Sequence, residues 1–96
     1  MIDEYVPPEE LKALLGRQIV IDTDSSFVYV GVLARIGRDY LELTDADAHD
    51  TNDTANTKEK YTLDTRQIGV RGNRTLVLVR MARVLSISAL DDVLKY

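Results

Sequence analysis

Five arginines and no carboxylate lie between Arg66 and Arg83 in a chain whose net charge is −4. Guanidinium groups bind phosphates and carboxylates through paired N–H donors, so this run points to recognition of an anion rather than to bond making. The stretch from Asp45 to Asp53 has the opposite character: Asp45, Asp47, His49, Asp50 and Asp53 offer oxygen atoms and one imidazole. An EF-hand loop begun at Asp45 needs Gly at its sixth place and Glu at its twelfth, where this chain has Asp50 and Asn56. No bound metal is therefore expected. His49 is the sole histidine, no G-x-S-x-G motif is present and the glycines form no phosphate loop, so neither catalysis nor a cofactor nor a small-molecule substrate is expected.

Ninety-six residues make one domain, large enough for a core without a covalent staple. There is no cysteine, which rules out disulfides and fits a reducing compartment. No run approaches the length of a membrane-spanning helix, and "MIDEYVPPEE" is not a basic, apolar leader, so the expectation is a cytoplasmic protein with no membrane partner. The net acidity opposes non-specific binding to polyanions, although clustering of arginines can offset it locally.

The elements that must position these side chains are read from periodicity. Pro7 and Pro8 suit a helix entry, Leu11, Leu14 and Leu15 share a face, and Gly16 is placed as the C-terminal cap. The period then falls to two. "RQIVIDTD" directs Ile19 and Ile21 inward, "DSS" turns, "FVYVGVLARI" returns as a longer strand and "YLELTDA" is the third. Gly31, in the middle of the second strand, permits a bend or a close backbone approach. Asp45 to Asn56 reads as an exposed polar loop. "NTKEKYTLDTRQIG" reads as a helix with an Asn56–Glu59 capping box, Tyr61 and Ile68 on one face, and Gly69 at its end. In "TLVLVRMARVLSIS" the β-branched content favours strands buried on both faces over a helix. Met81, Ala82 and Arg83 must then turn the chain without the usual turn residues. Finally, Ser88 and Asp91 form a second box that begins a short helix.

A helix, three antiparallel strands, a variable connection and two short strands give an order that resembles the Sm-like proteins, as a divergent member of bacterial type. Those are small, strongly bent five-stranded antiparallel sheets of the SH3-like barrel kind that join edge to edge into rings and commonly bind single-stranded RNA. The matching motifs are "YVGVL" from Tyr29, "RDYLEL" from Arg38 and "VRMARVLSI" from Val79. The resemblance implies a mostly β fold with an N-terminal helix over residues 1–96, with 46–74 as a helix-containing insertion between the third and fourth strands. It places Tyr40 at the base-stacking position, Arg80 at the motif arginine, Glu42 where a base-reading Asn is usual and Met81 where a Gly is usual. An ionised Glu only accepts hydrogen bonds and repels phosphate. A rival register uses "VRGN", Val70 to Asn73, as the second motif.

Two functions follow from the resemblance. One is a homo-oligomeric ring that binds single-stranded RNA through Tyr40, Glu42, Arg80 and Arg83. The other is an oligomeric protein-interaction scaffold of the same fold without RNA binding, with the Asp45 to Arg74 insertion as its contact surface. Independently of either, the plainer reading of Arg80 and Arg83 is ion pairing with Glu42 or with Asp91 and Asp92 across a subunit contact.

Overall fold

The structure, a computed structural model, describes residues 4–53 and 56–94. Its elements run α1 (Glu9–Lys12), β1 (Gln18–Thr23), β2 (Phe27–Ile36), β3 (Tyr40–Asp50), α2 (Lys58–Ile68), β4 (Arg74–Arg80) and β5 (Val84–Ala89). The strands form one antiparallel sheet in the order β4-β3-β2-β1-β5. The edge strands β4 and β5 are separated in sequence only by the 3-10 turn Met81–Arg83. A connection that short forces the sheet to curl until its two edges approach. The expected N-terminal helix, strongly bent five-stranded sheet and helix between the third and fourth strands are all present.

Curling also requires the long middle strands to bend, and the residues that allow it are identifiable. Between β2 and β3 the register shifts from Val30↔Asp47 to Val32↔Thr44, so Asp45 and Ala46 together oppose Gly31. Asp45 takes the left-handed conformation with φ 48°, one that Asp tolerates better than most residues. A Cβ on Gly31 would lie 2.8 Å from the Ala46 Cβ and 3.1 Å from the Thr44 carbonyl oxygen, so only glycine fits against this β-bulge.

The bulge switches which side chains point inward. On one side Leu33, Leu41 and Leu43 join Ile19, Ile21, Ala46 and Val79 in the barrel interior, with Leu11 and Leu14 from the α1 region packed against them. On the other face Val20, Val28 and Val30 form a second cluster with Tyr61 and Leu90. Burying an aliphatic side chain of this size stabilises by about 1.5–3 kcal/mol, which gives α2 a reason to fold back over the sheet. Thus β1 is buried on both faces, where its alternation suggests one.

Several expectations are corrected. Residues Asp45–Asp50 are not loop: they complete β3, with Asp47–Asp50 pairing with Phe27–Val30 of β2 beyond the bulge. Their aspartates disfavour a strand locally, but the ladder with β2 and the small Ala46 and Ala48 between them outweigh that preference. Thr51–Asp53 is a 3-10 turn, and residues 54–55 of the expected loop lie outside the described residues. The N-cap of α2 is Thr57, whose hydroxyl accepts from the Lys60 N–H, rather than Asn56. Tyr61 is buried with Thr65, four residues on, and Ile68 lies on the same side of the helix but, as its last residue, is 77% exposed. Helix α1 ends at Lys12, ahead of Gly16, and Leu15 is exposed. β4 is buried on one face only: Val79 is inside, while Leu76 and Leu78 are exposed because none of the described elements covers that face of the edge strand. In place of the expected short helix after Ser88, Leu90–Asp92 makes a 3-10 turn, capped by Ala89 without a side-chain bond.

Candidate nucleic-acid interface

The β2–β3 hairpin closes tightly, with the Gly37 N–H donating to the Tyr40 carbonyl at 2.8 Å. The Met81 N–H donates to the Asp39 carbonyl, also at 2.8 Å, so this hairpin is tied to the β4–β5 turn. Immediately beside that tie, Tyr40 of β3 and Arg80 of β4 are direct cross-strand partners. The two turns enclose a cleft of about 480 Å³ lined by Arg38, Asp39, Tyr40, Arg80, Met81 and Ala82. Tyr40 is 40% exposed, leaving part of its ring open to solvent. An aromatic side chain in a cleft that arginines also line can stack a planar base while a guanidinium holds an adjoining phosphate.

The other two candidates are engaged elsewhere. Glu42 faces Arg35, its partner across β2, at 3.6 Å from Nε to Oε1. This replaces the expected Glu42–Arg80 pair: along β3 the neighbour of Glu42 on β4 is Leu78, and Arg80 is two cross-strand pairs further on, opposite Tyr40. Arg83 donates from Nε to Asp24 Oδ1 at 2.8 Å, and its carbonyl accepts from the Asp24 N–H at 3.0 Å, locking the β4–β5 turn to the β1–β2 turn. Sequence reasoning missed Arg38; its place between Gly37 and Tyr40 at a hairpin tip was the available signal. The rival register fails as well. Asn73 staples the connection to β3, accepting from the Ala48 N–H at 3.0 Å and donating to the Ala48 carbonyl at 3.1 Å, so "VRGN" lies before β4 and not at the turn that follows it.

Away from the cleft, polar contacts hold α2. Lys58 Nζ donates to Asp22 Oδ1 at 2.7 Å and to the Thr23 carbonyl at 2.9 Å. The Tyr61 hydroxyl donates to Asp47, and the His49 ring stacks on Tyr61 with centroids 4.0 Å apart and planes 3° from parallel. Burial, then the Asp47 bond, push the Tyr61 hydroxyl well above the ordinary tyrosine range. Asp50 accepts from the Ser26 hydroxyl at 2.6 Å and from the Asn52 N–H, which hold its carboxyl below the usual aspartate value. These acidic residues are spent on fixing the β3 extension and α2. A groove of about 500 Å³ between α2 and β1–β2 is lined mainly by apolar side chains, with Lys58 already paired at its rim.

No family model and no curated protein matches the chain. Solved structures do. The Sm protein of Pyrococcus abyssii, determined in complex with a uridine heptamer, superposes with a TM-score of 0.60 at 16% identity, covering 88% of this chain and 99% of that one. The fold is Sm-like. A heptameric archaeal Sm protein superposes with a TM-score of 0.54 at 20% identity, over 85% of this chain and 97% of its own. Almost the whole of each Sm protein is therefore matched, so the Sm-like likeness covers the complete sheet rather than one hairpin. Among the described residues no helix is long and apolar enough to cross a membrane.

Proposed function

We propose that the chain assembles through the edges of its Sm-like sheet into a homo-oligomeric ring and binds single-stranded RNA at the Tyr40–Arg80 cleft. The observation that carries this reading is the cleft itself: one half-exposed aromatic ring with Arg80 directly across the ladder and Arg38 on the adjoining lip. Tyr40 stacks a base, Arg80 and Arg38 bind phosphate or a base edge, and Arg83 fixes the corner through Asp24. Glu42 stands behind Tyr40 on β3, and pairing with Arg35 offsets the repulsion its carboxylate would exert on phosphate. A ring repeats this small positive site once per subunit, so several contacts act together on one strand although each subunit carries a net charge of −4. The likeness to an Sm protein solved with a uridine heptamer supports a uridine-rich strand as first ligand to try. On this reading the protein is a binding protein of the cytoplasm and not an enzyme.

A fluorescent oligo-U tested by anisotropy at micromolar protein is expected to bind with an affinity that falls as salt rises, with a log–log slope of about 0.7 per phosphate contact. Arg80→Ala is expected to weaken binding about tenfold or more, since a hydrogen bond to a charged group contributes about 1.5–3 kcal/mol. No salt-sensitive signal with either oligo-U or oligo-A overturns RNA binding. The exposed Leu76 and Leu78 on β4, together with the net acidity, favour the scaffold reading in that case. Loss of assembly rather than affinity in Arg80→Ala would assign that residue to the subunit contact.

A further inference from the structure

We propose that the Tyr40 cleft prefers guanine to uracil, with Asp39 as the residue that reads the base; the inference rests on the RNA-binding reading above and names the base within it. Tyr40 opens β3, Asp39 precedes it in the chain and Arg80 stands across the ladder, and all three line the cleft. Asp39 and Arg80 are both exposed, and among the described residues neither side chain has a hydrogen-bond or ion-pair partner. A carboxylate and a guanidinium thus border one aromatic ring without bonding to each other. The backbone beneath them is tied, because the Asp39 carbonyl accepts from the Met81 N–H. Glu42, at the position where a base-reading Asn is usual, pairs with Arg35 and does not line the cleft, so no side-chain amide is available there.

An ionised carboxylate only accepts hydrogen bonds and a guanidinium only donates them. Guanine satisfies both in pairs. Its N1–H and N2 amino donors lie side by side on the Watson–Crick edge and match the two carboxylate oxygens, while O6 and N7 on the adjoining edge accept from two guanidinium N–H groups. Uracil presents a single N3–H between two carbonyl oxygens, whose lone pairs would meet those of the carboxylate. Adenine presents one amino donor beside the N1 acceptor. Either base leaves one carboxylate oxygen unmatched. Stacking on Tyr40 and contacts to phosphate hold any strand, so the base edge decides preference rather than whether binding occurs.

The test compares three fluorescent strands by anisotropy on the full chain at one salt concentration: oligo-U, the same strand with one central guanosine, and the same strand with inosine in that place. The guanosine strand is expected to bind about tenfold more tightly than oligo-U, a magnitude typical of a bidentate base contact. Inosine lacks the N2 amino group and is expected to lose most of that gain. Asp39→Asn keeps the backbone bond to Met81 and removes a charge that repels phosphate, so all strands are expected to bind more tightly. The guanosine-to-uridine ratio is nevertheless expected to fall toward one, because an amide offers one acceptor and one donor to the uracil N3–H and O4. The inosine comparison needs no variant, so it tests the base contact whether or not Asp39→Asn folds. Equal affinity for oligo-U and the guanosine strand overturns the preference while RNA binding stands, and a ratio that persists in Asp39→Asn overturns the assignment to Asp39. No anisotropy change with any of the strands overturns RNA binding as well, so the oligo-U titration tells the two failures apart.

Discussion

Tyr61 shows how one side chain can join two elements that the sequence keeps apart. Its ring is buried beneath α2, its hydroxyl donates to Asp47 of β3 and His49 stacks on its face. Removing the hydroxyl in Tyr61→Phe keeps the packing and leaves Asp47 without that donor. We expect a loss of about 1.5 kcal/mol near neutral pH, measurable by urea denaturation. The pH dependence has a definite sign. Tyr61 holds its proton more tightly in the folded state than in the unfolded chain, where a tyrosine titrates near pH 10. Its contribution is therefore fully present below about pH 10 and is lost as pH rises toward the folded value. Urea midpoints at about pH 8 and about pH 11 should fall further for the unaltered protein than for Tyr61→Phe; equal falls would refute the assignment. At this same scale Glu42 and Arg80 were recognisable as candidates, but their pairing was not, because a two-residue period says which face a side chain takes and nothing about its partner across the ladder.

Among the elements, the bend in β2 and β3 decides the most. Gly31 was legible as a bend because a glycine in a strand of Val and Leu weakens it unless geometry requires the missing Cβ. The structure supplies the requirement in Ala46, whose own Cβ occupies the space. Gly31→Ala is expected to destabilise by about 1–3 kcal/mol, the usual cost of overpacking, and to be read as a lowered melting temperature. A variant as stable as the parent would mean that the bulge relaxes freely. The turn at Met81–Arg83 was likewise legible, from β-branched residues too numerous for a helix and a stretch too long for one strand. The extension of β3 through Asp50 was not legible, since its evidence in sequence is only the faint alternation of Ala46 and Ala48 among aspartates.

For the whole molecule the unpaired edges of the sheet matter most. β4 presents backbone donors and acceptors on its outer side together with Leu76 and Leu78, 52% and 46% exposed, and β5 ends the sheet at the other margin. Because the margins differ, pairing β4 of one subunit with β5 of the next is a heterologous contact, which closes into a ring or continues indefinitely. Light scattering after size-exclusion chromatography is expected to give a mass several times that of the monomer. Leu78→Lys, which puts a charge on the β4 edge, is expected to shift the protein toward monomer while its circular dichroism stays that of a β-rich fold. A parent protein that remains monomeric in dilute solution would remove the ring from the proposed function.

By itself the sequence determined the order of helix and strands, the inward set of Ile19, Ile21, Leu41 and Leu43, and the two places where the chain must bend, because each follows from local periodicity and from the steric demands of single residues. Only the tertiary structure decided that an acidic run is a strand, that Val20, Val28 and Val30 are buried under α2, and that Arg38 rather than Glu42 stands beside Tyr40 and Arg80. Those outcomes depend on register across the ladders and on the return of α2 over the sheet, which are contacts between residues far apart in the chain. Such contacts leave no periodic trace in either partner's own sequence.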